Sequence, residues 1–320
     1  MPELPKGTRY LDPAALARLK NLGLAARLVV EGLFAGQHRS PHRGFAVEFA
    51  EHRQYTPGID LRHLDWKVLA KRDKLYVKQY EEQTNLRGYL VLDASASMGY
   101  RHSGPMTKLE YASYLAATLA YLMMVQHDAF GLIVCGDRIR LNIPPRQGRG
   151  QLRSVLERLE EVRPEGETDL PRTFHELAER MKRRALVVVI SDLFGGAGGG
   201  KGGGKGSGST DDLLDALGHF RHKKHEVVVL QVLDRAELTF PFRDAGQIED
   251  IETHLTIDAD AEAIRNHYLQ RLNAHLDGVR QGCLARQIGY SMADTGEPFD
   301  LFLGTYLMRR QHQHMARTAY

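Results

Sequence analysis

The chain has 320 residues, of which 42% are hydrophobic and 26% charged. That composition supplies one large domain or two ordinary ones and excludes a disordered or fibrous chain. Lys and Arg number 43 against 40 Asp and Glu, an excess of +3 that gives no electrostatic reason to expect a nucleic-acid partner. Cys135 and Cys283 cannot build a disulfide framework, and they fit a reducing compartment.

Taken in chain order, Met1–Lys6 has no apolar stretch behind its charges and does not read as a signal peptide. From Asp12 to Phe34, Leu16, Leu19, Leu22, Ala25, Leu28, Val29 and Leu33 recur at helical spacing after Pro13, which predicts a helix. Residues 36–82 mix Gly, His, Arg, Tyr and Asp with short β-compatible pieces such as Leu75–Tyr80, and predict irregular structure with short strands. Residues 1–85 therefore read as an N-terminal extension, a helix followed by a β/irregular segment, ahead of a domain over 86–320.

Within 86–320 the pattern alternates. Strands are predicted over 87–93, 129–135, 138–142, 185–192, 225–232 and 288–292. Helices are predicted over 107–126, 150–162, 170–183, 210–222, 260–281 and 297–310. This alternation argues for an α/β fold with a mainly parallel sheet and helices on both faces, as does the run Ala185–Ile190, apolar on both sides of its strand. Gly136-Asp137 joins two of the strands as a hairpin, adding an antiparallel edge. The longest apolar run, Tyr114–Val125, falls short of the ~20 residues that cross a bilayer, so no membrane span and a cytoplasmic location are expected. Gly195–Gly208 is a glycine-rich loop expected to be flexible. Its Gly-x-Gly-x-x-Gly match is not a phosphate loop, because Lys201 and Lys205 are each followed by Gly where Ser or Thr should bind magnesium.

Chemistry concentrates at strand ends. Asp93, Ser95 and Ser97 leave the first strand of the domain at its carboxyl end, where open α/β sheets bind ligands. One carboxylate and two hydroxyls are hard oxygen donors of the kind Mg²⁺ or Mn²⁺ prefers. Asp192, after the buried run 185–190, and Thr168, in the loop opening the helix at Leu170, would complete the set. Each residue has an ordinary structural explanation. Ser95 and Ser97 could cap the next helix, Thr168 or Asp169 could cap the helix carrying Pro171, and Asp192 could shape a turn. Two strand-end acids together with Ser-x-Ser and a loop Thr favour a cation site over those separate roles.

Catalytic patterns fit less well. An aspartyl nucleophile of the haloacid dehalogenase kind needs a second Asp where Ser95 stands, and a Gly-x-Ser-x-Gly elbow needs Gly there. His175-Glu176 is followed by Arg180 in place of the second His of a zinc motif. The basic residues from Arg53 to Lys78 are interleaved with Asp60, Asp65 and Asp73, which reads as a solvated face, and Trp66 reads as a core anchor.

Asp93-x-Ser95-x-Ser97, the later Thr168-Asp169 and the strand-end Asp192 resemble the metal-ion-dependent adhesion site (MIDAS) of von Willebrand factor A domains. Upstream, Gly36-Gln-His38-Arg-Ser40, Val47-Glu48-Phe49, Glu51-His-Arg53-Gln-Tyr55, Pro57-Gly58-Ile59-Asp60-Leu-Arg62 and Leu64-Asp65-Trp66-Lys67 resemble the signature of the bacterial domain of unknown function 58 family, DUF58. Ile59 stands where family members usually carry an acid. The resemblance implies a von Willebrand factor A-like domain with Ser95, Ser97 and Thr168 as direct or near ligands of Mg²⁺ or Mn²⁺. It implies that Asp93 and Asp192 hold the ion directly or through water. It also implies a MoxR-type AAA ATPase as partner, in chaperone-like assembly or maturation of a client protein. The expectation is a metal-dependent interaction module and not an enzyme. The alternative is a Mg²⁺-dependent hydrolase with Asp93 as nucleophile.

Overall fold

The computed structural model describes residues 10–11, 47–54, 76–82, 86–194, 210–252 and 254–318. They fall into two compact units, one holding 47–54 and 76–82 and the other holding the rest. The helix expected over 12–34, Trp66 and the glycine-rich loop 195–208 lie outside the described residues. In the smaller unit, β1 (Val47–Gln54) pairs antiparallel with β2 (Tyr76–Glu82), with a register break between Phe49 and Glu51.

The larger unit is built on β3 (Arg87–Asp93), β4 (Ala129–Cys135), β5 (Ile139–Arg146), β6 (Leu186–Ser191), β7 (Glu226–Leu233) and β10 (Gly289–Asp294). They form one sheet in the order β10-β7-β6-β3-β4-β5. Every neighbouring pair is parallel except β4–β5. From β3 the chain moves outward to β4 and β5, then returns to place β6, β7 and β10 on the other side. The strand order therefore reverses between β3 and β6, the position at which α/β sheets open a crevice beyond their carboxyl ends. The mainly parallel α/β sheet expected from the sequence is the one observed.

Helices cover both faces: α1 (Lys108–Val125), α2 (Arg149–Glu161), α3 (Leu170–Arg180), α4 (Thr210–His222), α6 (Ala261–Ala285) and α7 (Phe299–Thr318), with the short α5 (Arg235–Thr239) after β7. Alternation along each strand sorts the core into two layers. Leu90, Leu92, Val188, Ile190, Leu230 and Val232 pack with residues of α1, α2 and α7, such as Leu115, Leu156 and Leu303. Val91, Val187, Val189, Val227 and Val229 pack with residues of α3, α4 and α6, such as Phe174, Leu217 and Val279. Strands buried on both faces explain why they read as unbroken apolar runs.

Three features differ from the sequence reading. β5 continues to Arg146 through Pro144 and Pro145, because an edge strand tolerates residues that cannot donate to a ladder. α6 and α7 run beyond their expected ends, to Ala285 and Thr318. A separate hairpin, β8 (Ala245–Glu249) and β9 (Thr256–Asp260), was not predicted, because five-residue strands with polar and apolar residues mixed give almost no periodic signal.

Candidate metal centre

Each of four parallel strands ends in an acid: Asp93 closes β3, Asp192 and Asp234 follow β6 and β7, and Asp294 closes β10. The first two flank the reversal of strand order. Parallel pairing sets Leu92 beside Ile190, so the next residues, Asp93 and Ser191, meet at the strand ends. Ser191 Oγ donates to Asp93 Oδ2 at 2.6 Å, and Ser95 N donates to Asp93 Oδ1 at 3.0 Å. The carboxylate is buried, and burial followed by the charge of Asp192 pushes its pKa up to about 6 despite these donors.

Ser95 opens a short 3₁₀ turn, Ala96–Gly99, but makes no side-chain cap there. Its Oγ instead shares a hydrogen bond with Ser97 Oγ at 3.0 Å. The capping explanation for this pair therefore falls away. Ser95 is buried and Ser97 half-exposed, so Ser97 is the side from which solvent reaches the pair.

Thr168 is brought in by its loop. Ala96 N donates to Gly166 O at 3.0 Å, Glu165 N donates to Ala94 O at 3.0 Å, and Arg140 Nη atoms reach Ala94 O and Glu165 O. The loop is thus stitched to the turn that carries the serines. Asp169, not Thr168, caps α3 by accepting from Arg172 N at 3.2 Å, with proline in the first turn. Thr168 is left with another partner: its hydroxyl donates to Glu252 Oε1 at 2.7 Å and its amide to Glu252 Oε2 at 3.1 Å.

Asp192 has both the turn role and a second one. Oδ1 accepts from Phe194 N at 3.0 Å, while Oδ2 accepts from Lys108 Nζ at 2.7 Å. Lys108, at the start of α1, is only 1% exposed, and its ammonium also donates to Glu237 Oε1 at 2.6 Å. Burial alone would push Lys108 down, but Asp192 and Glu237 outweigh it and raise its pKa. Glu237 in turn accepts from Asp234 N at 2.8 Å in the capping box of α5. Lys108, Ser191, Glu237 and Glu252 are site residues that the sequence reading missed. Lys108 sits at an N-terminal helix position where Thr107-x-x-Glu110 advertises only a capping box, Glu237 lies in a five-residue helix, and Glu252 lies in the turn of a short hairpin.

Hydrogen bonds thus join Asp93, Ser95 and Ser97, backbone bonds tie the loop of Thr168 to the serine turn, and Asp192, already engaged by an ammonium, acts on Asp93 through its charge. Among the described residues no three His, Cys, Asp or Glu side chains cluster as a metal group, so a cation here would depend on hydroxyl oxygens as well as acids. The hydroxyl spacing suits one. Adjacent oxygens around an octahedral Mg²⁺, each at about 2.1 Å from the ion, stand about 3.0 Å apart, and Ser95 Oγ and Ser97 Oγ are 3.0 Å apart.

Fold and crevice define the class: a doubly wound α/β domain with carboxylates and hydroxyls gathered at its topological switch point. The chain belongs to the family described as protein of unknown function DUF58, whose model matches residues 51–277. Uncharacterized protein Rv1480 of Mycobacterium tuberculosis is 26% identical over 281 residues, covering 85% of this chain and 83% of that protein. Among solved structures, the conserved hypothetical protein BatB from Bacteroides thetaiotaomicron is similar at 15% identity, with a TM-score of 0.43 over 71% of this chain and 99% of that one. The VWA domain of SpRpn10 is similar at 9% identity, with a TM-score of 0.37 over 71% and 95%.

Proposed function

We propose that the chain is a metal-dependent protein-interaction module, not an enzyme, working in the cytoplasm. In this reading Asp93, Ser95, Ser97 and Thr168 hold Mg²⁺ or Mn²⁺, and Asp192 acts directly or through water. The observation that carries it is the Ser95–Ser97 hydroxyl pair at 3.0 Å beside a buried strand-end carboxylate. When bound, the ion would supply a Lewis-acidic position that accepts an oxygen from outside the chain. Asp93 would keep its orientation through Ser95 N and Ser191 Oγ, and those same donors, one on each oxygen, make it a poor nucleophile for the hydrolase reading.

Membership of the family supports a MoxR-type AAA ATPase as partner and a role in chaperone-like assembly or maturation of a client protein. The test is association with that ATPase. Ser97→Ala removes one oxygen with little change in volume, so the fold should survive while binding weakens by about 2–5 kcal/mol. Chelator should reproduce the loss in the unmodified protein and add little in the variant. Association indifferent to both refutes the reading, and phosphoryl-ester turnover lost in Asp93→Asn would favour the hydrolase.

A further inference from the structure

Glu252 sits at the tip of the β8–β9 hairpin, far in sequence from the residues it serves. The tip is held by its own bonds: Asp250 N donates to Leu255 O at 2.9 Å, His254 N to Asp250 O at 2.8 Å, and Glu252 N to Asp250 Oδ1 at 2.8 Å. From that turn the Glu252 carboxylate takes both donors of Thr168, hydroxyl and amide. A threonine hydroxyl has one proton and two lone pairs. With the proton directed to Glu252, the lone pairs are the part of Thr168 left for a cation. A carboxylate placed behind a ligand in this way also makes the ligand oxygen a stronger donor.

We propose that Glu252 is a positioning residue of the metal centre, which orients Thr168 toward the ion and ties the β8–β9 hairpin to it. The inference rests on the reading of Asp93, Ser95, Ser97 and Thr168 as a cation site. The hairpin offers its own control. Glu249 carries the same charge on β8 but bonds His254 Nδ1 at 2.9 Å and not Thr168.

Mn²⁺ titration of the full chain, followed by the electron paramagnetic resonance signal of free Mn²⁺, tests it. Glu252→Ala should weaken Mn²⁺ binding about 10–100-fold, the usual cost of losing a partner behind a metal ligand. Glu252→Gln, whose amide oxygen can still accept from the Thr168 hydroxyl, should lose less, and Glu249→Gln should stay within about twofold. Thermal melts in chelator should stay cooperative for all four proteins, with only Glu252→Ala lowered, by several degrees at most, for the acceptors that Thr168 loses. Unchanged Mn²⁺ affinity in Glu252→Ala overturns the proposal. An equal loss in Glu249→Gln also overturns it, because the effect would then be the charge of the hairpin and not the contact. If the unmodified protein binds no Mn²⁺, or if Ser97→Ala binds it undiminished, the metal-centre reading itself fails and takes this inference with it.

Discussion

Replacing Lys108 with Met isolates a buried contact in which one ammonium serves two acids. Met keeps the unbranched stem and a comparable helix propensity, so the change is essentially loss of the ammonium. Asp192 Oδ2 and Glu237 Oε1 lose a donor at 2.7 and 2.6 Å, and their side chains are 0% and 15% exposed, so water replaces little of it. Breaking a buried ion pair by removing one partner costs about 3–5 kcal/mol. Each acid keeps a backbone donor, Phe194 N or Asp234 N, which holds the cost inside that range although one ammonium serves two acids. For a domain of this size about 4 kcal/mol lowers Tm by roughly 10–15 °C. Differential scanning calorimetry in chelator should show that drop. Added Mg²⁺ should then raise the variant's Tm more than that of the unmodified protein, because Asp192 is freed to face the ion and ligand binding stabilises the folded state by mass action. A loss under about 3 °C in chelator would mean the ammonium is not the counter-ion of these acids. Equal Mg²⁺ responses would mean Asp192 does not face the cation.

Asp93 predicts a pH dependence. Its folded pKa, about 6, lies above the ordinary 3.8, so the folded state holds the extra proton between those values. Stability in chelator should therefore fall as pH rises from about 4 to about 6, by at most roughly 3 kcal/mol; urea melts should show this slope flattened in Asp93→Asn. Apparent Mg²⁺ affinity should rise with pH through the same window and level off above it, checked by titration calorimetry. Gly131→Ala should destabilise by about 1–3 kcal/mol, because its Cβ would meet Ile143 O at 2.3 Å and Pro145 N at 2.9 Å, both backbone atoms of the neighbouring strand. Gly150→Ala, in the first turn of α2 with nothing within 4 Å of the new Cβ, should stabilise by about 0.4–1 kcal/mol in the same melts.

What the sequence made legible follows from how much local signal each feature carries. The strands β3, β4, β6 and β7 are buried on both faces, so their apolar runs locate them almost to the residue. Asp93 and Asp192 stood out for the converse reason, as acids directly following such runs. Lys108 did not, because a lysine at the start of a helix is ordinary until the fold folds it inward over Asp192. Glu252 did not, because its bonds to Thr168 span 84 residues and run through a short hairpin. Thr168 and Asp169 were equivalent candidates for a helix cap in sequence. Only the geometry divides them, giving the cap to Asp169 and Glu252 to Thr168.

The electrostatics of the crevice would give the proposed cation its physical reason. The ammonium of Lys108 pairs with Asp192 and Glu237, the charge of Asp192 also acts on the buried Asp93, and water screens these groups little. Negative charge in excess of its counter-charge can be relieved by taking up protons or by taking up a cation. Burial pushes both Asp93 and Glu237 upward, which is the proton route. The proposed cation would be the other route, and Ser95, Ser97 and Thr168 would offer it oxygens that add no further charge to be buried. Hydroxyl ligands would serve that purpose better than more acids: they would complete a coordination shell without adding to the burial of charge and the repulsion that already raise Asp93. An ion held this way would keep much of its positive charge on the half-exposed Ser97 side, where an acidic group from another chain could reach it.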